Sequence, residues 1–186
     1  MASKLSRFLS IQSSKPRSAA VRLWALLGGF FVFLVVVPLL LGAVGRLVDQ
    51  ALKVTVPRSL ESAFGLAVAS LGLLLLLWAV GAFWRLGGGT PVPMAAPQRL
   101  VVRGPYHYCR NPIQLGASLF YLGLGCAVLS LIAGVVMFIL ALALGSAYHR
   151  FVEEPELLLR FGPAYDDYRR RTPFLFPRPW RKNDVA

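Results

Sequence analysis

Little in this chain equips it for metal, disulfide or hydrolytic chemistry. Two cysteines, Cys109 and Cys126, in 186 residues are too few for a disulfide framework and lack CxxC spacing. The two histidines, His107 and His149, have no Cys, Asp or Glu at supporting ligand spacing, so no metal is expected. There is no GxSxG elbow for a serine nucleophile. The triple glycine Gly87 to Gly89 follows an apolar run and lacks the GxxxxGK or GxGxxG spacing of a phosphate loop. Carboxylates are also scarce, with 8 Asp+Glu against 20 Lys+Arg and a net charge of +12. A basic excess suits nucleic acid when it forms one continuous stripe. Here it falls in four blocks parted by long uncharged runs, which points to anionic lipid as the partner and not nucleic acid.

What the chain has in excess is apolar length. Hydrophobic residues make up 56% and the mean hydropathy is +0.62, too apolar for a typical soluble domain. Leu23 to Gly45 and Ser62 to Trp84 are each 23 residues without a charge, and a span needs about 20. The first follows a basic, Ser-rich start (Lys4, Arg7, Lys15, Arg17, Arg22) but is too long for a cleaved signal peptide and ends in no small-x-small site, so it reads as a retained anchor. A third run, Asn111 to Tyr148, holds 38 uncharged residues, enough for two short spans at about 1.5 Å per residue. It reads as a tight hairpin turning near Ser130 to Gly134, its two helices brought close by Gly116, Ala117, Gly123, Gly125, Gly134 and Gly145. The alternative is one tilted span with an interfacial segment.

The expected fold is therefore an all-α integral membrane protein of about four transmembrane helices, with a cytoplasmic loop and amphipathic tail helices. Residues 1–22 form a basic terminus, 23–84 two spans, and 85–186 a core of loop, hairpin (111–148) and tail. Four spans put 17 of the 20 basic residues on one side, so both termini are expected in the cytoplasm, in a bacterial inner membrane. Pro155 to Arg171 reads as a pair of amphipathic helices on the membrane surface, with Phe174, Phe176 and Trp180 anchoring the end.

Two segments carry more than spans require. Gly104 to Gly116 reads GPYHYCRNPIQLG, and after the hairpin come Glu153 and Glu154, Phe161-Gly162, Tyr165, Tyr168 and Pro173. In that order they resemble the isoprenylcysteine carboxyl methyltransferase and phospholipid methyltransferase superfamily. Its pattern is G-P-Y, R-[HN]-P-x-Y-x-G, a membrane hairpin, E-E, and F-G-x-x-Y-x-x-Y before a Pro-rich end. The resemblance covers about Gly87 to Pro179. It departs at Asn111, where His is usual, and at Gln114, where Tyr is usual, which leaves the pocket contacts and the prenylcysteine substrate open.

The resemblance implies an enzyme that uses S-adenosylmethionine to methylate a lipophilic acceptor entering from the bilayer. It implies a cofactor set of Gly104, Tyr106, Tyr108, Arg110, Asn111, Pro112, Glu153 and Glu154, with Arg110 and Glu154 bearing on catalysis. The chemistry is coherent with those residue types: a carboxylate for the cofactor's ammonium, Arg110 and amides near Asn111 for its carboxylate, and Tyr106 and Tyr108 as aromatic walls or a cation–π face. Gly104-Pro105 reads as a turn that aims Tyr106. The rival readings are a non-catalytic membrane scaffold that keeps the fold and, more remotely, a nicotinamide-dependent enzyme akin to the sterol reductases. The acceptor atom and the oligomeric state are left open.

Overall fold

The computed structural model of the chain describes residues 18–52, 54, 56–92 and 95–177. Lys4, Arg7, Lys15, Arg17, Lys53 and Trp180, which the sequence reading used for topology and anchoring, lie outside the described residues. Among the described residues there is no strand. Three helices are long and apolar enough to cross a membrane: α1 (Ala19–Leu52), α2 (Arg58–Gly87) and α5 (Leu131–Phe161). Between α2 and α5 come a single turn, α3 (Pro105–Tyr108), and a shorter apolar helix, α4 (Pro112–Val128). A last helix, α6 (Pro163–Arg171), follows a turn at Gly162. Inside lipid every backbone polar group must be satisfied within the protein, which is why uncharged runs of this length are helices. Their outward faces carry Leu39, Leu40, Leu66, Leu71, Leu74 and Leu144, all exposed to the surrounding medium.

The fourth apolar helix is shorter than the other three. With 17 residues it is about 26 Å long at 1.5 Å per residue, just under a bilayer core of about 30 Å. The turn falls at Leu129 and Ser130, at the near edge of the expected window, and α5 then runs on unbroken through residues 149–161. The expected amphipathic pair is thus the end of α5 plus α6, parted at Gly162.

By its contacts the chain divides into two compact units. One consists of Leu26–Leu77 and Ile113–Ser146. Its core gathers Leu41, Ala117, Tyr121, Met137 and Ala141. The small residues sort differently from the sequence reading, which gave them all to the α4–α5 hairpin. Gly116 and Gly123 face α2: a Cβ on Gly116 would lie 2.8 Å from the Leu76 amide nitrogen, and one on Gly123 2.5 Å from the Gly65 carbonyl. A Cβ on Gly72 would in turn lie 2.7 Å from the Gly116 carbonyl. Glycines seven apart on both helices make one stripe of backbone-to-backbone contact. Among these glycines, Gly125 and Gly134, with Gly145 against the Gln114 side chain, serve the hairpin. Gln114 donates to the Ala141 carbonyl at 2.6 Å and to the Ser118 hydroxyl at 3.3 Å. Gln114, one of the two departures from the resembled pattern, is thereby used as a helix-to-helix hydrogen bond.

The hairpin turn is fixed from α2. Ser130 caps α5, its hydroxyl accepting the Ala133 N–H at 3.1 Å. Arg58 donates to the last carbonyls of α4 and its turn, Cys126 at 3.1 Å and Leu129 at 3.2 Å, and to Ala127. Buried Glu61 accepts the first N–H of α5, from Leu131, at 2.7 Å. A cation thus sits at a helix C-terminus and a carboxylate at a helix N-terminus, each where the helix dipole favours it. Glu61→Ala is expected to cost about 1–3 kcal/mol by stranding that amide, and Glu61→Gln, which keeps an acceptor, clearly less. Thermal unfolding in detergent checks this; equal midpoints for Glu61→Ala and the parent would show that the cap carries no weight.

Two helices widen for the same reason. In α1 the π turn Val32–Val36 ends with the Val37 N–H bonded to the Val32 carbonyl, and Pro38 follows. Proline has no N–H and its ring crowds the carbonyl four residues back, so the preceding turn takes an extra residue. The Phe33 carbonyl is left without a helical donor, and the Tyr121 hydroxyl donates to it at 2.6 Å. In α5 the π turn His149–Glu153 stands in the same register ahead of Pro155, with the Glu154 N–H on the His149 carbonyl.

Candidate functional site

The second unit takes in residues 18–25, Trp78–Pro112 and 147–177, and it holds every residue of the expected cofactor set. The set is drawn from the loop that ends in α3, the segment up to Pro112, and the π turn of α5 with Glu154 after it; α6 and the strap of residues 172–177 pack against it.

Gly104 opens the site. Its φ of 65° and ψ of −135° lie in a region essentially reserved for glycine, and they turn the chain into Pro105 at the first position of α3. Tyr106 is thereby buried and stacks on Phe83, with ring centroids 4.6 Å apart and planes 12° from parallel. Its hydroxyl is buried with no hydrogen-bond partner. Burial, and then the negative charge of Glu153, push its pKa well above the usual tyrosine value, so it stays a proton donor throughout the neutral range. Tyr108 is on the other side of the turn, 48% exposed and beside Trp78 at 6.3 Å between centroids. Cys109 is buried, and burial lifts its thiol to about 11, so it is not a nucleophile at neutral pH.

Arg110 and Glu154 form the centre. The Arg110 guanidinium donates to one Glu154 oxygen and Arg150 donates to the other at 2.8 Å. The side chains of Arg110 and Glu154 are only 9% and 6% exposed, whereas that of Arg150 is 61% exposed. The pair nearest the interior is therefore the energetically dominant one, since exposed ion pairs contribute at most about 1 kcal/mol. Two cations share one carboxylate, which leaves the group with a net charge of +1. Arg110 also keeps a buried Nε–H without a partner. Next to Glu154, Glu153 accepts from His149 Nδ1 one turn earlier. Along α5 this makes two consecutive i,i+4 pairs, His149–Glu153 and Arg150–Glu154.

The strap after α6 closes over this centre. The Arg110 N–H donates to the Pro173 carbonyl at 2.9 Å, the Asn111 side-chain amide donates to the Phe174 carbonyl at 2.8 Å, and the guanidinium lies 5.4 Å from the Phe174 ring. Asn111 thus has a structural partner, and Pro112 starts α4, fully buried. From α6 the Tyr168 hydroxyl donates to the Tyr106 carbonyl at 2.6 Å. Burial raises the Tyr165 hydroxyl to about 12, against the lowering influence of the facing Arg110. Further out, Arg160 bridges Glu156 at 3.0 Å and the Pro97 carbonyl, tying the loop to α5.

The sequence reading missed Arg150, His149, Phe83 and Phe174. Arg150 had a visible signal in its i,i+4 spacing to Glu154; Phe83 and Phe174 had none, because their contacts depend on chain segments far apart in sequence. Among the described residues no group of three or more His, Cys, Asp or Glu side chains converges as a metal site.

A stretch of 80 residues is 40% identical to the nickel-cobalt-cadmium resistance protein NccN of Alcaligenes xylosoxydans xylosoxydans and, to the same extent, to the cobalt-zinc-cadmium resistance protein CzcN of Cupriavidus metallidurans. That stretch is 42% of this chain and 36% of each relative, so the match spans about a third of their length. No solved structure matches. Residues 60–164, more than half the chain and inclusive of Arg110, Glu153 and Glu154, match the phospholipid methyltransferase family, and the chain belongs to that family.

Proposed function

We propose that this protein is an integral membrane methyltransferase that uses S-adenosylmethionine to methylate a lipophilic acceptor at the cytoplasmic face of the membrane. The observation that carries the reading is the buried Arg110–Glu154 pair with Arg150, set beside two buried donors that lack partners, the Tyr106 hydroxyl and Arg110 Nε. Buried polar groups are nearly always paired. Two unpaired ones in one site therefore suit a polar ligand that completes them.

The donor set fits the cofactor. A cluster of net charge +1 suits its carboxylate, with Arg110 and Arg150 as donors. Glu153, paired with His149 and not with an arginine, suits its ammonium. The stacked rings of Phe83 and Tyr106 suit the flat, cationic remainder. When bound, the cofactor supplies an electrophilic methyl on a sulfonium. The residues of the chain bind, orient and exclude water: Tyr168 and the strap at Pro173 and Phe174 hold Tyr106 and Arg110 in place, and much of the rate would come from that positioning. The hydroxyls of Tyr106, Tyr165 and Tyr168, each lifted by burial, stay neutral and cannot serve as bases at physiological pH.

The test is calorimetric titration of the detergent-solubilised full chain with S-adenosylmethionine and S-adenosylhomocysteine, then incubation of labelled cofactor with a total membrane extract. Saturable binding and a labelled lipid product are expected; no binding at millimolar ligand would sink the reading. Tyr106→Phe, which keeps the stack and loses the donor, should weaken binding by about 1 kcal/mol, with no new pH dependence between 6 and 9. An unchanged affinity in this variant would remove the hydroxyl from the site.

A further inference from the structure

The unit formed by Leu26–Leu77 and Ile113–Ser146 contains a cavity of about 390 Å³ that plays no part in the proposed reaction. α1 supplies one wall, including Pro38, Gly42, Ala43 and Arg46; α4 and its turn supply Gly125 and neighbouring apolar side chains, and Met137 of α5 completes it. Apart from Arg46 every lining residue is Leu, Val, Pro, Gly, Ala or Met. The slot has a local cause. The π turn before Pro38 widens α1 at this level, and Gly42, facing Leu129 and Met137 of the lining, adds no side chain to the space. Its volume is within the range of ligand sites, about 300–1,000 Å³, and suits a single hydrocarbon chain.

Arg46 gives the slot a direction. It is exposed, and among the described residues it has no hydrogen bond or ion pair, not even with Asp49 one turn on. A guanidinium offers five N–H donors in a fork that fits phosphate oxygens. A cation without a protein partner at the end of an apolar slot in a membrane protein is complemented by an anionic headgroup above an acyl chain. A zwitterionic headgroup brings its own cation next to the guanidinium and is the poorer match.

We infer that this slot is a lipid site, which holds one acyl chain of an anionic glycerophospholipid with its phosphate on Arg46. None of its residues belongs to the Arg110–Glu154 cluster, so it stands or falls independently of the methyltransferase reading.

The test measures thermal unfolding of the full chain in an uncharged detergent during titration with phosphatidylglycerol or with phosphatidylcholine of the same chains. Phosphatidylglycerol should reach half-maximal stabilisation at a concentration several-fold lower. Arg46→Gln should bring the two lipids to the same concentration, while Arg103→Gln, also an exposed arginine, should keep them apart. Ala43→Phe, which puts a ring into the slot from its exposed rim, should reduce the response to both lipids relative to its own lipid-free midpoint. Equal potency of the two lipids on the parent chain, a preference that persists in Arg46→Gln, or a parental response in Ala43→Phe would each overturn the assignment.

Discussion

Glu154→Gln should weaken S-adenosylmethionine binding by at least about tenfold, or 1.4 kcal/mol, and lower the unfolding midpoint of the unliganded chain as well. The carboxylate accepts from two guanidiniums and is 6% exposed. An amide of the same shape can accept one of those hydrogen bonds but neutralises neither charge. Removing one partner of a buried pair costs about 3–5 kcal/mol, because the other charge is left uncompensated. Part of that loss is recovered when Arg150, already 61% exposed, turns to solvent. Arg110 has no such exit: its N–H is held by the Pro173 carbonyl and its guanidinium lies over Phe174. Arg110→Ala should therefore match Glu154→Gln in lost affinity, and Arg150→Ala should do much less harm to stability. Full parental affinity in both Glu154→Gln and Arg110→Ala would remove the cluster from the cofactor site while leaving the helices as they are.

This centre was partly legible in the sequence because its two halves are each local motifs. Arg110 and Asn111 follow the Gly104-Pro105-Tyr106 turn, and Glu153-Glu154 follows the hairpin by a fixed distance, so family order alone pointed to both. What the sequence withheld was how they are joined. The i,i+4 spacing along the helix foresees that Glu153 meets His149 and Glu154 meets Arg150, but not that Glu154 also meets Arg110, 44 residues away, nor the widened turn at His149–Glu153. Pro155 was its visible cause. The strap was read for membrane anchoring at Phe174 and Phe176; that Phe174 also offers its carbonyl to Asn111 and its ring to Arg110 is a contact across more than 60 residues that no spacing rule predicts.

The spans were legible for a simpler reason, since uncharged length alone selects helix in lipid. Which helix faces which is harder. Small residues mark a close approach without naming the partner, and Gly116 and Gly123 proved to serve α2, with its own glycines at Gly65 and Gly72, and not the hairpin. Periodicity held the clue: 65 and 72 repeat the seven-residue interval of 116 and 123, whereas Gly125 and Gly134 do not.

That stripe gives the second large prediction. Gly123→Leu should prevent α2 and α4 from packing as they do, and even Gly123→Ala should cost more than a typical surface change by several-fold. A Cβ at this position would stand 2.5 Å from the Gly65 carbonyl, with the Ala69 backbone nearer still. Real Cβ contacts are not that short, and the obstacle is main chain, so no rotamer change relieves it. The helices must spread by an ångström or more, and every close contact along the stripe weakens together, because dispersion falls steeply with a small gap. Overpacking of this kind costs about 1–3 kcal/mol for small insertions and more when backbone must move. The intrinsic preference of a helix for Ala over Gly, about 1 kcal/mol, works in the opposite direction and is outweighed. Gly81→Ala isolates that term: position 81 is also inside α2, and a Cβ there meets nothing within 4 Å, so this variant should be neutral or slightly more stable. Unfolding midpoints in detergent, with size-exclusion profiles to show monodispersity, should therefore move in opposite directions for Gly123→Ala and Gly81→Ala. If both rise, the gain in helix propensity outweighs the steric cost, and the α2–α4 contact is looser than the glycine spacing implies.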